Sequence, residues 1–203
     1  MPRKSVLLFA GACVAIAAAL AVVTLVVVGG RQQAQEISSG QADVGGPFEL
    51  VDQTGRAVDE SMLEGRWTAV FFGFTHCPDY CPTTLQALAA TKAAMGERGE
   101  ALEIVFISID PERDTPELLG DYLRTRSFPE GVVGLTGTPD QVAAAARAYR
   151  AHYERVGEGA GYTMNHTLTI YLMGPDGRFR RALTHDLAPN DAARVILNAM
   201  DQG

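Results

Sequence analysis

The longest apolar stretch of the chain, Val6 to Val28, runs for 23 residues without a charge. As a helix rising about 1.5 Å per residue it reaches roughly 34 Å, enough to cross a hydrocarbon core of about 30 Å. A cleaved signal peptide has an apolar core of about 7 to 15 residues and a small-residue cleavage site, so residues 6–28 read as one transmembrane helix. Arg3 and Lys4 precede the run and only Arg31 follows closely. The positive-inside rule therefore leaves residues 1–5 in the cytoplasm and the rest of the chain outside. Cys13 lies early in the run, the wrong asymmetry for a lipoprotein signal, and reads as a small lipid-facing side chain. Residues 29–46, rich in Gln, Ser and Gly and without apolar period, read as a flexible tether.

From Pro47 to residue 203 the pattern alternates between short apolar runs and segments of helical period. Phe48 to Val51 predicts a strand, Gln53-Thr54-Gly55 a turn, and Trp67 to Phe74 a strand buried on both faces. A helix follows from about Pro82 to Arg98, then a second buried strand from Ile104 to Ile109. Asp114-Thr115-Pro116-Glu117 opens the next helix, with Thr115 as cap and Pro116 at the first helical position. Val132 to Leu135 is a short strand, and Thr138-Pro139 repeats the cap-then-proline signal for a helix reaching about His152. Tyr153 to Tyr162, with Gly157, Gly159 and Gly161, reads as a loop leading into a strand that begins near His166 and runs from Thr167 to Met173. Pro175-Asp176-Gly177 turns into a hairpin partner, Arg178 to Ala182, and Pro189 to Met200 closes the fold as a helix. Strands and helices in this order predict an α/β protein, a three-layer α/β/α sandwich on a mixed central sheet.

Composition narrows the class further. With 47% hydrophobic and 20% charged residues the chain is not disordered, collagenous or a coiled-coil rod. It carries 17 basic against 24 acidic residues, and without Arg3 and Lys4 the balance falls to −9, which argues against nucleic acid as a partner. Cys13, Cys77 and Cys81 are the only cysteines, too few for a disulfide-stapled scaffold.

The chemistry concentrates at His76-Cys77-Pro78-Asp79-Tyr80-Cys81-Pro82, between a buried strand and a helix. That places both sulfurs at the strand's carboxyl edge, where open α/β sheets bind ligands. A four-residue spacing sets them on one side of the first helical turn, and the positive helix terminus favours thiolate over thiol. Two adjacent thiolates make either a redox couple or two-thirds of a soft-metal site; a purely structural disulfide would close too small a loop to constrain much chain. Soft Cu(I) suits two thiolates and an imidazole, and Cu(II) also binds N and S donors tightly. Of the four histidines, His76 adjoins Cys77 and points away from the partner sulfur, while His152 and His185 read as surface residues. His166 differs in lying at a strand start beyond a glycine-rich stretch, from where a side chain can reach the neighbouring strand's edge. Met164 and Met173 read as packing residues rather than thioether donors.

Phe72-Gly73-Phe74-Thr75-His76-Cys77-Pro78-Asp79-Tyr80-Cys81-Pro82, Ile107-Ser108-Ile109-Asp110-Pro111-Glu112-Arg113-Asp114, Gly134-Leu135-Thr136-Gly137, Ala148-Tyr149-Arg150, and His166 with Tyr171-Leu172-Met173-Gly174-Pro175-Asp176-Gly177 occur in order and together resemble the SCO/SenC family. The resemblance covers the soluble part from about Phe48 to Met200. It implies a thioredoxin-like domain carrying copper, Cu(I) or Cu(II), on Cys77, Cys81 and His166. The implied protein is a single-pass inner (cytoplasmic) membrane protein whose domain lies in the periplasm or an equivalent outer compartment. It is a metallochaperone rather than an enzyme and delivers copper to the binuclear copper centre of cytochrome c oxidase. Its expected partners are the oxidase's copper-bearing subunit and other copper carriers or thiol reductants. Three residues between the cysteines, where thioredoxins have two, and no proline beside His166 distinguish it from ordinary thiol oxidoreductases.

One departure concerns Asn165, where the family usually has Asp before the histidine, so support for the imidazole must come from elsewhere or from an amide. Asp110 and His76, with Asn165, are expected near the site or on the docking surface. Oxidation of Cys77 and Cys81 to a disulfide removes the thiolates and releases copper. The leading alternative is a periplasmic thiol-disulfide oxidoreductase acting on the oxidase subunit's cysteines. A peroxiredoxin-like peroxidase is disfavoured by the closely spaced pair, and a pure interaction module makes no use of the sulfurs.

Overall fold

The computed structural model describes residues 44–202. The transmembrane helix expected over residues 6–28, Cys13 and most of the expected tether lie outside the described residues. Among those described, no helix is long and apolar enough to cross a membrane. Val44 packs against the core and the Gly45 N–H donates to the Ala148 carbonyl at 2.9 Å, so residues 44–46, read as tether, lie on the domain.

The all-buried apolar runs become central strands, as their lack of alternation demands. In chain order the elements are β1 (Glu49–Asp52), β2 (Ala57–Asp59), β3 (Trp67–Gly73), α1 (Tyr80–Ala94), β4 (Leu102–Ser108), α2 (Pro116–Leu123), β5 (Val133–Thr136), α3 (Pro139–Ala148), β6 (Tyr153–Val156), β7 (Thr163–His166), β8 (Thr169–Met173), β9 (Phe179–Thr184) and α4 (Pro189–Gln202). Seven strands form one mixed sheet in the order β2-β1-β5-β4-β3-β8-β9, and β6 and β7 form a separate pair. β3, β4 and β5 run parallel, while β8 is antiparallel to β3, and β9 to β8.

Register sorts the layers. Phe71 stands opposite Phe106, and Phe106 opposite Gly134, so all three share one face. A Cβ on Gly134 would come within 2.5 Å of Leu123 and 2.7 Å of Leu119, so glycine is what lets α2 settle onto this face. Phe72 points to the other face, where Tyr149 at the end of α3 packs on it and on Tyr171, each with ring centroids 5.4 Å apart. Helices on both faces of a mixed sheet make the expected three layers.

Helix starts follow the caps read from the sequence. Thr115 accepts from the Leu118 N–H, and Thr138 and Gln141 close a capping box, each before a proline at the first helical position. α3 stops at Ala148 instead of near His152, because Arg150 adopts φ 54° and the Ala151 N–H turns back to the Ala146 carbonyl at 2.9 Å. The segment read as a loop, Tyr153 to Tyr162, instead contains β6, pairing with β7. His166 therefore ends β7, opposite Tyr153, and does not open the strand that follows, which starts at Thr169. The strand pair carries no signal in the sequence because its residues are mostly exposed and its apolar members, Val156 among the exposed ones, do not fall on one face, so it lacks an apolar period.

Candidate metal centre

β3 delivers the chain to the sheet's carboxyl edge, where the Cys77 N–H donates to the Phe74 carbonyl at 3.2 Å in a tight turn before α1. Cys81 falls in the first turn of α1 and is fully buried, while Cys77 is 8% exposed. The Cys81 N–H, one of the orphan donors of the helix start, points to Cys77 Sγ at 3.4 Å. Both cysteines are free thiols here. Gly73 makes the close packing possible: a Cβ there would sit 2.8 Å from Cys81 Sγ and 2.7 Å from the Phe106 ring.

The two thiols differ in acidity. A hydrogen bond from the Cys81 thiol, opposed by burial and reinforced by His166 and the N–H groups of Cys81 and Asp79, brings Cys77 down to about 4. Donating that hydrogen bond, together with burial, pushes Cys81 up. Cys77 is thus the more acidic of the two sulfurs and the first to ionise. Because a depressed thiol keeps its thiolate until pH falls through its pKa, Cys77 is expected to react with iodoacetamide at a nearly constant rate from pH 8 to 6. The rate should fall only as pH approaches 4, with Cys81 unlabelled throughout. Peptide mass spectrometry checks this, and a rate that drops by half near pH 8 to 9 would contradict the assignment.

His166 approaches from β7, 85 positions downstream of Cys81, with Nε2 at 3.7 Å from Cys81 Sγ. Its Nδ1 lies 3.0 Å from the Thr167 carbonyl, an acceptor only, so Nδ1 donates there and Nε2 is the ring nitrogen that faces the sulfurs. The edges of Phe71 and Phe74 flank the ring with centroids 6.1 and 5.9 Å away. The donor atoms of Cys77, Cys81 and His166 all lie within 4.8 Å of one another. An ion with bonds of about 2.0–2.3 Å draws such a trio together with little movement. Two sulfurs and one imidazole suit a soft metal such as copper.

The remaining expected residues stand apart from this trio. His76 is half-exposed, its Nδ1 3.0 Å from Thr75 Oγ1 and 3.8 Å from Asp114. Asn165 is exposed and paired with Glu154 across the hairpin, so the imidazole is held by the Thr167 carbonyl and not by the amide. Asp110 is buried, accepting from the Tyr162 hydroxyl at 2.6 Å and the Arg113 Nε at 2.5 Å. His185 meets the exposed Tyr80 edge-on at 5.4 Å between ring centroids.

Two supports went unread in the sequence. Asp114, which by sequence reads as part of a helix opening, is fully buried and accepts from the Thr75 N–H, the Thr75 hydroxyl and the Ser108 hydroxyl at 3.0, 2.6 and 2.6 Å. It ties the turn before Cys77 to the end of β4. The other is Tyr162, whose burial nothing in its glycine-rich surroundings signals.

A mixed sheet that presents a helix-start dithiol at its edge, completed by an imidazole from a separate hairpin, defines a thioredoxin-like domain with a soft-metal centre. The comparisons narrow this class: the SCO1/SenC family profile matches residues 36–201, and the chain belongs to that family. It is 42% identical over 144 residues to Protein SCO1 homolog 1, mitochondrial, of Arabidopsis thaliana, covering 70% of this chain and 42% of that protein. To Protein SenC of Rhodobacter capsulatus it is 37% identical over 166 residues, 80% of this chain and 74% of that one. Bradyrhizobium japonicum ScoI, solved with copper bound, superposes with a TM-score of 0.69 at 43% identity, covering 77% of this chain and 99% of that one. The chain spans about half the length, or less, of the first mitochondrial relatives.

Proposed function

We propose that this chain is a membrane-anchored copper chaperone whose Cys77, Cys81 and His166 take up copper and hand it to the binuclear copper centre of cytochrome c oxidase. The convergence of three soft-metal donors within 4.8 Å carries this reading. The copper-bound ScoI structure supports the choice of metal. The uncharged run over residues 6–28 supports an anchor, residues 29–43 a tether, and the acidic balance of the rest a protein acceptor rather than nucleic acid. Copper is cargo: the thiolates and imidazole bind it, and exchange of these ligands for the acceptor's passes it on.

The test is anaerobic Cu(I) titration of the reduced full-length chain against a competing chelator. One copper per chain is expected, with His166→Ala weakening binding by on the order of a hundredfold, since a lost donor exceeds the 10- to 100-fold usual for its supports. Equal affinity in His166→Ala would overturn the ligand assignment.

A second reading has its own support in the unequal thiols. The Cys77 thiolate attacks one sulfur of an acceptor disulfide, forming a mixed disulfide and releasing one acceptor thiolate. Cys81 then gives up its proton and attacks Cys77, forming the Cys77–Cys81 disulfide and releasing the second acceptor thiol. The chain is oxidised by two electrons and the acceptor is reduced by two. Copper uptake and this reduction exclude each other on one molecule, because each consumes both sulfurs.

A further inference from the structure

The hairpin that brings in His166 has few attachments to the body of the domain. Among the described residues β6 and β7 pair only with each other, most of their residues are exposed, and a two-stranded hairpin by itself is marginal in water. The bonds at its base, Thr167 N–H to the His152 carbonyl at 2.9 Å and His152 N–H to Thr167 Oγ1 at 3.0 Å, join the strands to one another. Tyr153 and Met164 rest against the rim of the core. At the far end the attachment is made by Tyr162, the residue before β7.

Tyr162 is 8% exposed. Its ring lies between two guanidinium groups, with Arg113 Cζ and Arg155 Cζ each 3.7 Å from the centroid, and its hydroxyl donates to Asp110 Oδ1 at 2.6 Å. Arg113 Nη1 donates to the Tyr162 carbonyl at 3.0 Å, and Arg155 Nη1 reaches Glu112 at 3.3 Å. Asp110, Glu112 and Arg113 belong to the connection after β4, at the same edge as the dithiol, whereas Arg155 and Tyr162 belong to the hairpin. Arg155 stands opposite Met164, two residues before His166. Four residues of extended chain, about 13 Å, connect the plugged tyrosine to the imidazole.

We infer that Tyr162 is a positioning residue for His166: by plugging the hairpin into the Asp110–Arg113 connection it keeps Nε2 facing the two sulfurs. The inference rests on the metal-site reading, and the closing experiment separates the two. Cu(I) affinity is measured by chelator competition on the reduced full-length chain, with thermal melting alongside, for wild type, Tyr162→Ala, Arg155→Ala, His166→Ala and the His166→Ala/Tyr162→Ala double variant. Tyr162→Ala is expected to weaken binding about tenfold, the scale of lost ligand support. It should have no further effect once His166 is gone, because a residue acting only through the imidazole has nothing left to position. Wild-type affinity in Tyr162→Ala, or the same tenfold loss on top of His166→Ala, overturns the inference while leaving the metal site standing. Wild-type affinity in His166→Ala overturns the site and the inference together. Should Tyr162→Ala fail to fold, Tyr162→Phe, which drops only the Asp110 bond, and Arg155→Ala, whose side chain is 45% exposed, take its place. Wild-type affinity in both of these overturns the inference.

Discussion

Cys81→Ser is expected to weaken Cu(I) binding by roughly a hundredfold to a thousandfold while leaving the fold intact. Structural zinc sites with four protein ligands bind with about 10–16 kcal/mol, or about 2.5–4 kcal/mol per donor, a scale taken over here for a thiolate donor, and each 1.4 kcal/mol is a factor of ten. Serine nearly matches cysteine in shape but offers a hard oxygen that stays protonated at neutral pH, so the softest part of the donor set is halved. The position is fully buried between Gly73, Cys77 and His166, so no neighbouring thiol or histidine among the described residues substitutes for it. Chelator competition measures the loss, and circular dichroism checks the fold. An affinity within tenfold of wild type would show that copper is held elsewhere.

Gly73→Ala is expected to destabilise the domain by about 1–3 kcal/mol, the usual cost of forcing an extra carbon into a packed core, and Gly73→Val by more. The reason is geometric. The new Cβ would lie 2.7 and 2.9 Å from carbons of the Phe106 ring and 2.8 Å from Cys81 Sγ. Phe106 is itself wedged against Phe71 and Tyr122, with ring centroids 6.0 Å away in each case, and has little room to retreat. At about 2–4 °C per kcal/mol for a domain of this size, the alanine variant should melt roughly 2–12 °C lower. Cys81 is the other neighbour that must give way, so Cu(I) affinity should fall with stability. A melting temperature unchanged within about 1 °C would mean that the strand end and the sulfur are not in close approach.

The two cysteines were legible because their chemistry is local. A strand-to-helix turn, a four-residue spacing and a helix terminus are all written within a dozen positions, and each acts through neighbours along the chain. The same holds for the threonine caps of α2 and α3 and for the buried strands β3 and β4, whose continuous apolar runs admit few other fates. The β6–β7 hairpin was not legible for the opposite reason. Its residues, Tyr-Glu-Arg-Val and Thr-Met-Asn-His, have no apolar stripe, and what holds them is a tyrosine stacked between arginines from two different segments. Asp114 hides equally well, because an acid before a helix ordinarily faces water, and only the donors Thr75 and Ser108 converging on it make burial tolerable.

Local chain chemistry by itself therefore determined the dithiol, its place at a sheet edge and the alternation that builds the layers. Tertiary structure alone decided how the imidazole is held: by a hairpin rather than a strand start, by the Thr167 carbonyl rather than Asn165, and within 3.7 Å of a sulfur 85 positions away. Short-range signals survive in a sequence because each residue meets its partner whatever else folds. A contact across 85 positions exists only after the sheet has brought β3 and the β7–β8 segment side by side, and no spacing along the chain encodes that distance.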